Sequence, residues 1–191
     1  MNSTLIIDAL LLGIGLAMDA FSVSIANGLN KPKMKFNSAL VVALVFGIFQ
    51  AIMPIIGWAI THFLSEKFTF IEKAVPFVAL ALLLYIGIKM IYEANKGQED
   101  VEAETISKHE LLVQGIATSI DALSVGFTIA KYSFMTALLE ASIIGIVTTI
   151  ICLAGIYIGK AGGNKLASKA PIFGGIILIL VGIKIFVSGV M

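Results

Sequence analysis

Charged residues are scarce in this sequence: Asp, Glu, Lys and Arg together make up 13% of the 191 residues. Soluble domains carry about 25%, so this composition excludes an ordinary soluble protein. Arginine is absent, and the formal net charge of +1 gives no reason to expect a nucleic-acid partner. The single cysteine, Cys152, excludes an internal disulfide and a metal cluster built from several thiolates. A Walker-type phosphate-binding sequence is also missing, so we expect no ATP hydrolysis and no bound cofactor.

Apolar residues form 59% of the chain, and the mean hydropathy of +1.03 predicts an integral membrane protein. A helix crosses the hydrocarbon core of a bilayer with about 20 mostly apolar residues. We predict six such spans, at residues 5–27, 38–61, 74–92, 111–130, 134–158 and 171–190. Polar connectors separate them. The predicted fold class is therefore all-α, with six transmembrane helices in a lipid bilayer.

The two halves of the chain repeat one another. At a constant offset, Gly13, Ile14, Asp19, Ala20, Ser22 and Val23 recur as Gly115, Ile116, Asp121, Ala122, Ser124 and Val125. Ile56-Gly57 and Ile158-Gly159 follow the same offset. In the third and sixth spans, Pro76 and Gly87-Ile88-Lys89 match Pro171 and Gly182-Ile183-Lys184. The duplication therefore covers three helices in each half.

An odd number of spans in each half places the second half upside down relative to the first. We predict two inverted three-helix repeats, residues 1–92 and 111–191, joined by a polar cytoplasmic linker at residues 93–110. Inverted repeats are typical of secondary transporters, whose substrate sites lie near the bilayer midplane where the repeats meet. The loops on one side hold eight lysines and those on the other hold three, which predicts that both termini are extracytoplasmic.

Each repeat places one aspartate inside a very apolar segment, Asp19 in AMDAFSVSIA and Asp121 in SIDALSVGFT. A carboxylate near the bilayer centre costs about 2.5–3.5 kcal/mol on insertion scales, so it needs a partner or a watery cavity. Two facing carboxylates repel unless a cation lies between them or one of them is protonated. We predict that Asp19 and Asp121 bind a divalent cation together. The alternative is a structural role, in which protonated aspartates join helices.

Neutral oxygen groups complete the predicted metal site. The candidate ligands besides the aspartates are Ser22, Ser124, Thr118, Asn27 and Gln50. The hydroxyl residues and Asn27 lie along the helical stripes that carry the two aspartates. Gln50 precedes Pro54 by one turn, and a proline leaves the carbonyl one turn upstream without its usual partner; a simple packing kink is the alternative. Oxygen ligands favour Mg, Ca or Mn over copper and zinc, without a choice among the three.

Four further residues are candidates for coupling or gating, namely Glu140, Lys89, Lys184 and Pro54. Glu140 lies about two turns into the fifth span, where it either lines an outer vestibule or pairs near the interface. Lys89 and Lys184 occupy matching positions in the third and sixth spans. Each lysine either extends to the interface or pairs with the aspartates when the site is empty.

The same motifs carry a family resemblance. The segments MDAFSVSIANGL and ATSIDALSVGFTIA, with FGIFQAIMPIIGW and YIGIKMIYE, resemble the MntP-type bacterial manganese efflux pumps over essentially the whole chain. The resemblance implies a six-helix inner-membrane exporter that lowers cytoplasmic manganese, with Asp19 and Asp121 as its intramembrane acids. Gln50 stands where some members have Glu, Lys89 where some have Arg, and Thr128 where Ser is common. The identity of the metal and the direction of export come from the resemblance alone.

We therefore predict a transporter that exports Mn²⁺ by alternating access, with proton coupling as a hypothesis and with no enzymatic activity. An exporter of amino acids or another small solute is the main alternative, in which Lys89 or Lys184 would bind the substrate carboxylate. An intramembrane aspartyl protease is disfavoured, because an acid and a base need different environments and the two aspartates have duplicated ones. A structural scaffold would tolerate the loss of Asp19. The sequence sets no oligomeric state.

Overall fold

The computed structural model describes residues 3–63, positions 77, 80, 81, 83–85, 87–89, 91 and 92, and residues 106–166 and 170–190. Within these ranges every regular element is a helix. The helices are α1 (Ser3–Asn30), α2 (Phe36–Phe63), α3 (Lys108–Thr118), α4 (Ile120–Thr128), α5 (Phe134–Leu166) and α6 (Ala170–Val190). A 3-10 turn at Ile129–Lys131 follows α4. The described positions between 77 and 92 are also helical.

Three of the described helices are long and apolar enough to cross a membrane, at Leu5–Asn30, Phe36–Thr61 and Phe134–Gly162. These segments confirm three of the predicted spans and an integral, multi-pass membrane protein. Large apolar side chains such as Leu11, Ile48 and Ile150 are exposed along them, as expected for helices that face lipid. The predicted third span lies largely outside the described residues, and the predicted sixth span coincides with α6.

The prediction of one uninterrupted fourth helix was wrong. α3 ends at Thr118 and α4 begins at Ile120, with Ser119 between them at φ −105° and ψ 6°. The Ser119 hydroxyl donates to Gly115 O at 2.7 Å, and the Thr118 hydroxyl donates to Gln114 O at 2.9 Å. Because hydroxyls that bond nearby carbonyls compete with the backbone ladder, two in succession favour a break here. The break lies directly before Asp121.

Small residues let α1 and α5 pack with their backbones close together. A Cβ added to Gly28 of α1 would lie 2.9 Å from Lys160 N and 3.0 Å from Gly159 Cα of α5. Near the other end of α1, a Cβ on Gly13 would lie 3.2 Å from Ile144 Cα. The contacts advance in the same direction along both helices, so α1 and α5 run parallel. Close glycine contacts of this kind are typical of membrane helices.

α2 packs between α5 and the interrupted fourth span. A Cβ on Gly47 would meet Thr149 of α5, whereas a Cβ on Gly145 would lie 2.9 Å from Ala51 Cβ; α2 and α5 are therefore antiparallel. A Cβ on Gly126 of α4 would lie 2.8 Å from Trp58 N. Trp58 also donates its indole N–H to Tyr132 O at 3.1 Å. α2 belongs to the first half of the chain and thus packs against two helices of the second half.

The helical positions between 77 and 92 pack against α6. A Cβ on Gly87 would lie 2.7 Å from Gly175 O, and a Cβ on Gly182 would lie 3.1 Å from Leu83 Cβ. The contacts run in opposite directions along the two segments, so these segments are antiparallel. Phe77 and Phe186 extend this interface with an edge-to-face ring contact at 4.9 Å.

Candidate cation site

Asp19 lies in the middle of α1, where its residue is only 7% exposed. The neighbouring helix α2 brings Gln50 to the same level, because Gln50 Nε2 donates to Leu16 O at 3.1 Å. Gln50 is fully buried, and its Oε1 has no hydrogen-bond partner. A buried acceptor without a partner is costly, so this oxygen is suited to a ligand. Gln50 therefore contacts α1 at Leu16, about one turn before Asp19.

Pro54 lies inside α2, which continues through it. Since proline has no N–H, it provides no hydrogen bond to the main-chain carbonyl of Gln50, one turn earlier. Pro54 also lies against Gly126 of α4, where a glycine allows the two backbones to approach. Pro54 thus packs against α4 and also leaves the main-chain carbonyl of Gln50 without its usual helical partner. Both interpretations of this residue remain compatible with its position.

Asp121 lies in the first turn of α4, directly after the break. Its Oδ1 accepts a hydrogen bond from Ala122 N at 2.8 Å, and the residue is partly buried. A helix N-terminus stabilises a carboxylate through its unpaired N–H groups and the helix dipole. The duplicated aspartates therefore differ in local structure: Asp19 lies within a continuous helix, and Asp121 at the start of one. Their apposition across the bundle stays a prediction.

The three predicted hydroxyl ligands differ in how deeply they are buried. Ser22 is partly buried and donates to Met18 O at 2.9 Å, and Ser124 is exposed. Thr118 is buried and donates to Gln114 O. A donating hydroxyl keeps lone pairs that can accept or bind a metal, so Ser22 and Thr118 remain candidate ligands. The exposure of Ser124 makes it the least favourable of the three.

Asn27 contacts a residue that the sequence analysis missed. Asn27 Nδ2 donates to Gln114 Oε1 at 2.8 Å, and Gln114 Nε2 donates back to Asn27 Oδ1 at 3.2 Å. These bonds join α1 to α3. The signal for Gln114 was available in the sequence, since it lies seven residues before Asp121 and one turn before Thr118. We refer to Asn27 and Gln114 as the amide pair.

Besides Pro54, the candidate coupling residues are Glu140, Lys89 and Lys184. Glu140 is 3% exposed, and its Oε2 has no hydrogen-bond partner. Lys89 Nζ lies 3.5 Å from Glu110 Oε1, and both side chains are partly exposed. An exposed pair of this kind contributes at most about 1 kcal/mol to stability, which favours an interfacial position for Lys89. The side chain of Lys184 lies outside the described residues, and a pairing of either lysine with the aspartates stays a prediction.

Within the described part of the chain, no three His, Cys, Asp or Glu side chains converge to hold a metal ion. A cation bound here would therefore take carboxylate oxygen from the aspartates and further ligands from neutral groups. Gln50 Oε1 is one such group. Thr148 of α5 is another fully buried residue with an unpartnered hydroxyl oxygen. Carboxylate, amide and hydroxyl oxygens of this kind suit a hard cation, and a shared site built from them stays a prediction.

Comparison with known proteins identifies the relatives of this chain. A family described as "Putative manganese efflux pump" matches residues 33–186. The chain belongs to this family. A MntP-family protein of Methanobrevibacter smithii is 42% identical over 185 residues, covering 97% of this chain and 98% of the relative. One from Methanothermobacter thermautotrophicus is 43% identical over 185 residues, covering 97% of each chain. No solved structure matches this MntP-family chain.

A third relative, from Crocosphaera subtropica, is 43% identical over 178 residues and covers 93% of each chain. All three relatives carry the printed name "Putative manganese efflux pump MntP". Their similarity confirms the family that the two aspartate motifs predicted. The family model begins after α1, but the first two relatives each cover 97% of this chain, so their similarity extends into α1 as well.

Proposed function

We propose that this chain is a secondary transporter that exports Mn²⁺ from the cytoplasm through the plasma membrane. One observation carries the proposal: Asp19 is buried in a chain of the manganese efflux family, and Gln50, whose buried Oε1 is unpartnered, contacts α1 at Leu16, one turn before Asp19. A buried acceptor without a partner costs free energy, and a cation bound near Asp19 would satisfy the Gln50 oxygen. The protein then acts as a carrier and not as an enzyme, with Mn²⁺ as its substrate.

The proposed architecture is a pair of inverted repeats, residues 1–92 and 111–191, with residues 93–110 as a cytoplasmic linker. The helix directions support it, because α4 runs parallel to α2 and antiparallel to α1 and α5. Gly47 and Thr149, which contact each other, are related by the same offset as Gly13 and Gly115. A contact between equivalent positions is expected on a pseudo-two-fold axis. Six transmembrane helices would then surround this axis.

The proposed ion site lies between the repeats, with Asp19 and Asp121 providing two negative charges for the doubly charged ion. Gln50 Oε1, the Thr118 hydroxyl and the Ser22 hydroxyl are the proposed neutral ligands. The break at Ser119 supports this assignment, since interrupted helices commonly form the substrate sites of secondary transporters. The lysine-rich loops would face the cytoplasm, so the ion enters from that side and leaves as the two repeats rock.

Reconstituted protein is expected to move Mn²⁺ into liposomes that contain a manganese-responsive dye, and to move it faster than protein-free liposomes. The same preparation is tested with Mg²⁺, Ca²⁺ and radiolabelled amino acids, because the proposed oxygen ligands alone do not separate the three metals. Transport of amino acids without transport of Mn²⁺ would replace the proposed substrate by a small organic solute. Protein oriented with its lysine-rich side outward should account for the inward flux.

We also propose that protons move inward as Mn²⁺ leaves. Once the cation has gone, two carboxylates remain close together in a low-dielectric site, and this favours protonation of at least one of them. One pH unit supplies about 1.4 kcal/mol for each proton exchanged, so it should shift the steady-state Mn²⁺ ratio about tenfold per proton. The measurement compares Mn²⁺ accumulation with and without an imposed pH gradient, at constant membrane potential. A ratio that does not change with the gradient would remove proton coupling and leave Mn²⁺ transport intact.

A further inference from the structure

The amide pair is a buried polar contact between the two halves of the chain. Asn27 is 3% exposed and Gln114 is 2% exposed. Each side chain donates to the carbonyl oxygen of the other, at 2.8 and 3.2 Å. The reciprocal bonds satisfy one donor and one acceptor on each amide, so the two residues fit each other without a ligand. They join α1 and α3 in the conformation described here.

The amide pair lies on one side of both aspartates. Asn27 follows Asp19 by eight residues along α1, a rise of about 12 Å. Gln114 precedes Asp121 by seven residues, or about 10 Å if the break is ignored. Since α1 and α3 run in opposite directions, both displacements point to the same end of the bundle. This is the end where α1 enters the lysine-rich loop at residues 31–35.

The same end is closed by contacts of that loop. The loop residue Met34 is almost completely buried, although it lies outside the helices. Lys160 of α5 donates through Nζ to Met34 O. The loop therefore covers the bundle next to the amide pair. The amide pair and the Met34 contact therefore both lie on the lysine-rich side of the aspartates.

The duplication did not preserve the amide pair at the opposite end. At the offset that relates Asp19 to Asp121, Asn27 corresponds to Ile129 and Gln114 corresponds to Leu12. The equivalent positions are therefore apolar. Amide groups can exchange their mutual hydrogen bonds for hydrogen bonds to water when they separate, which Leu and Ile side chains cannot do. The amide pair is therefore a feature of one end of the bundle, and the duplicated positions do not repeat its chemistry.

We propose that the amide pair is the gate between the lysine-rich face and the aspartates, closed in this structure and opened when Asn27 and Gln114 separate. The proposal rests on the proposed function, because a gate has meaning only for a transporter. Separation exposes two amide oxygens and two N–H groups to the route of the ion, where hydration replaces the reciprocal bonds. The gate thereby admits a hydrated cation without leaving a buried amide unsatisfied.

A reversible cross-link tests the gate directly. Asn27→Cys and Gln114→Cys are combined in a Cys152→Ala background and treated with a short bis-methanethiosulfonate reagent. We expect Mn²⁺ flux to fall at least about tenfold on cross-linking and to return on reduction, because a joined gate cannot reach its open state. The matched control cross-links Ser133→Cys to Thr136→Cys. The native hydroxyls of these residues are exposed and 3.0 Å apart at the N-terminus of α5, so this cross-link joins no two helices. Equal flux before and after cross-linking of the Asn27–Gln114 positions would overturn the gate.

A second measurement does not depend on transport. Thr118 lies one turn beyond Gln114 toward Asp121 and is buried, so Thr118→Cys reports access past the amide pair. We expect a small impermeant thiol reagent, applied from the lysine-rich side, to label this cysteine at least about fivefold faster when Gln114→Ala is also present. Equal labelling rates would reject the gate. Faster labelling, together with a wild-type protein that moves no Mn²⁺, would support the gate and count against the proposed substrate.

Discussion

Replacing Asp19 by Asn should lower Mn²⁺ flux through reconstituted protein about 10- to 100-fold. The substitution nearly preserves shape, but removes one of the two charges that balance the ion. A hydrogen bond or contact to a charged group is worth about 1.5–3 kcal/mol, which corresponds to the stated range at about 1.4 kcal/mol per tenfold change. The loss should appear at subsaturating Mn²⁺ and shrink as the Mn²⁺ concentration rises, since binding is weakened first.

Asp8→Asn is the matched control for that experiment. Asp8 lies in the same helix and is exposed, so its loss changes the charge of the chain equally without removing a proposed ligand. Asp121→Asn should reproduce the defect of Asp19→Asn. Each variant is compared at equal protein content, with its folding checked by thermal unfolding in detergent. Full activity of both Asp19→Asn and Asp121→Asn would exclude the aspartates from ion transport and return them to a structural role.

The sequence predicted the parts of the fold that depend on long apolar runs. Hydropathy identifies α1, α2 and α5 because each contains an apolar segment long enough to cross the membrane. Hydropathy does not detect the break at Ser119, which depends on two short hydroxyl side chains and the carbonyls they reach. Thr118 and Ser119 are mildly polar residues in an otherwise apolar span. Their effect on the backbone is visible only in the hydrogen bonds.

The sequence identified the carboxylates of the candidate site but not the roles of its neutral amides. A lone carboxylate in an apolar helix is conspicuous in the sequence, so Asp19 and Asp121 could be selected directly. The role of a neutral amide depends on its neighbour across a helix interface. Gln50 reaches the backbone of α1 with its nitrogen and keeps its oxygen unpartnered. Asn27, in contrast, pairs with Gln114. Spacing within one helix places Gln114 on the face of Thr118 and Asp121, but it does not predict the pairing with Asn27 of another helix.

The interface between α1 and α5 shows how packing positions the carboxylate. Ala17, Ala20 and Ser24 are fully buried, and with Gly13 and Gly28 they follow one face of α1 at helical spacing. Without larger side chains on this face, the two backbones approach closely. Asp19 projects from another part of the helix surface, so its position depends on how closely α1 rests on α5. The same small residues that join the helices therefore fix the level of the proposed ion site.

Gly28→Ala is expected to destabilise the protein by about 3 kcal/mol, at the upper end of the range for overpacked interfaces. The added methyl group would lie 2.9 Å from Lys160 N and 3.0 Å from Gly159 Cα. These are backbone atoms, so no side-chain rotation relieves the clash, and α1 must move away from α5. For a chain of this size the midpoint of thermal unfolding should fall by about 6–12 °C, measured in detergent by intrinsic fluorescence.

Gly15→Ala is the matched control, because it makes the same chemical change in the same helix. Nothing lies within 4 Å of a Cβ added to Gly15, and alanine favours a helix more than glycine does by about 1 kcal/mol. Its unfolding midpoint should therefore stay the same or rise slightly. If Gly28→Ala and Gly15→Ala had equal midpoints, the close approach of α1 and α5 would be wrong, and Asp19 would lose the support that fixes its level in the bundle.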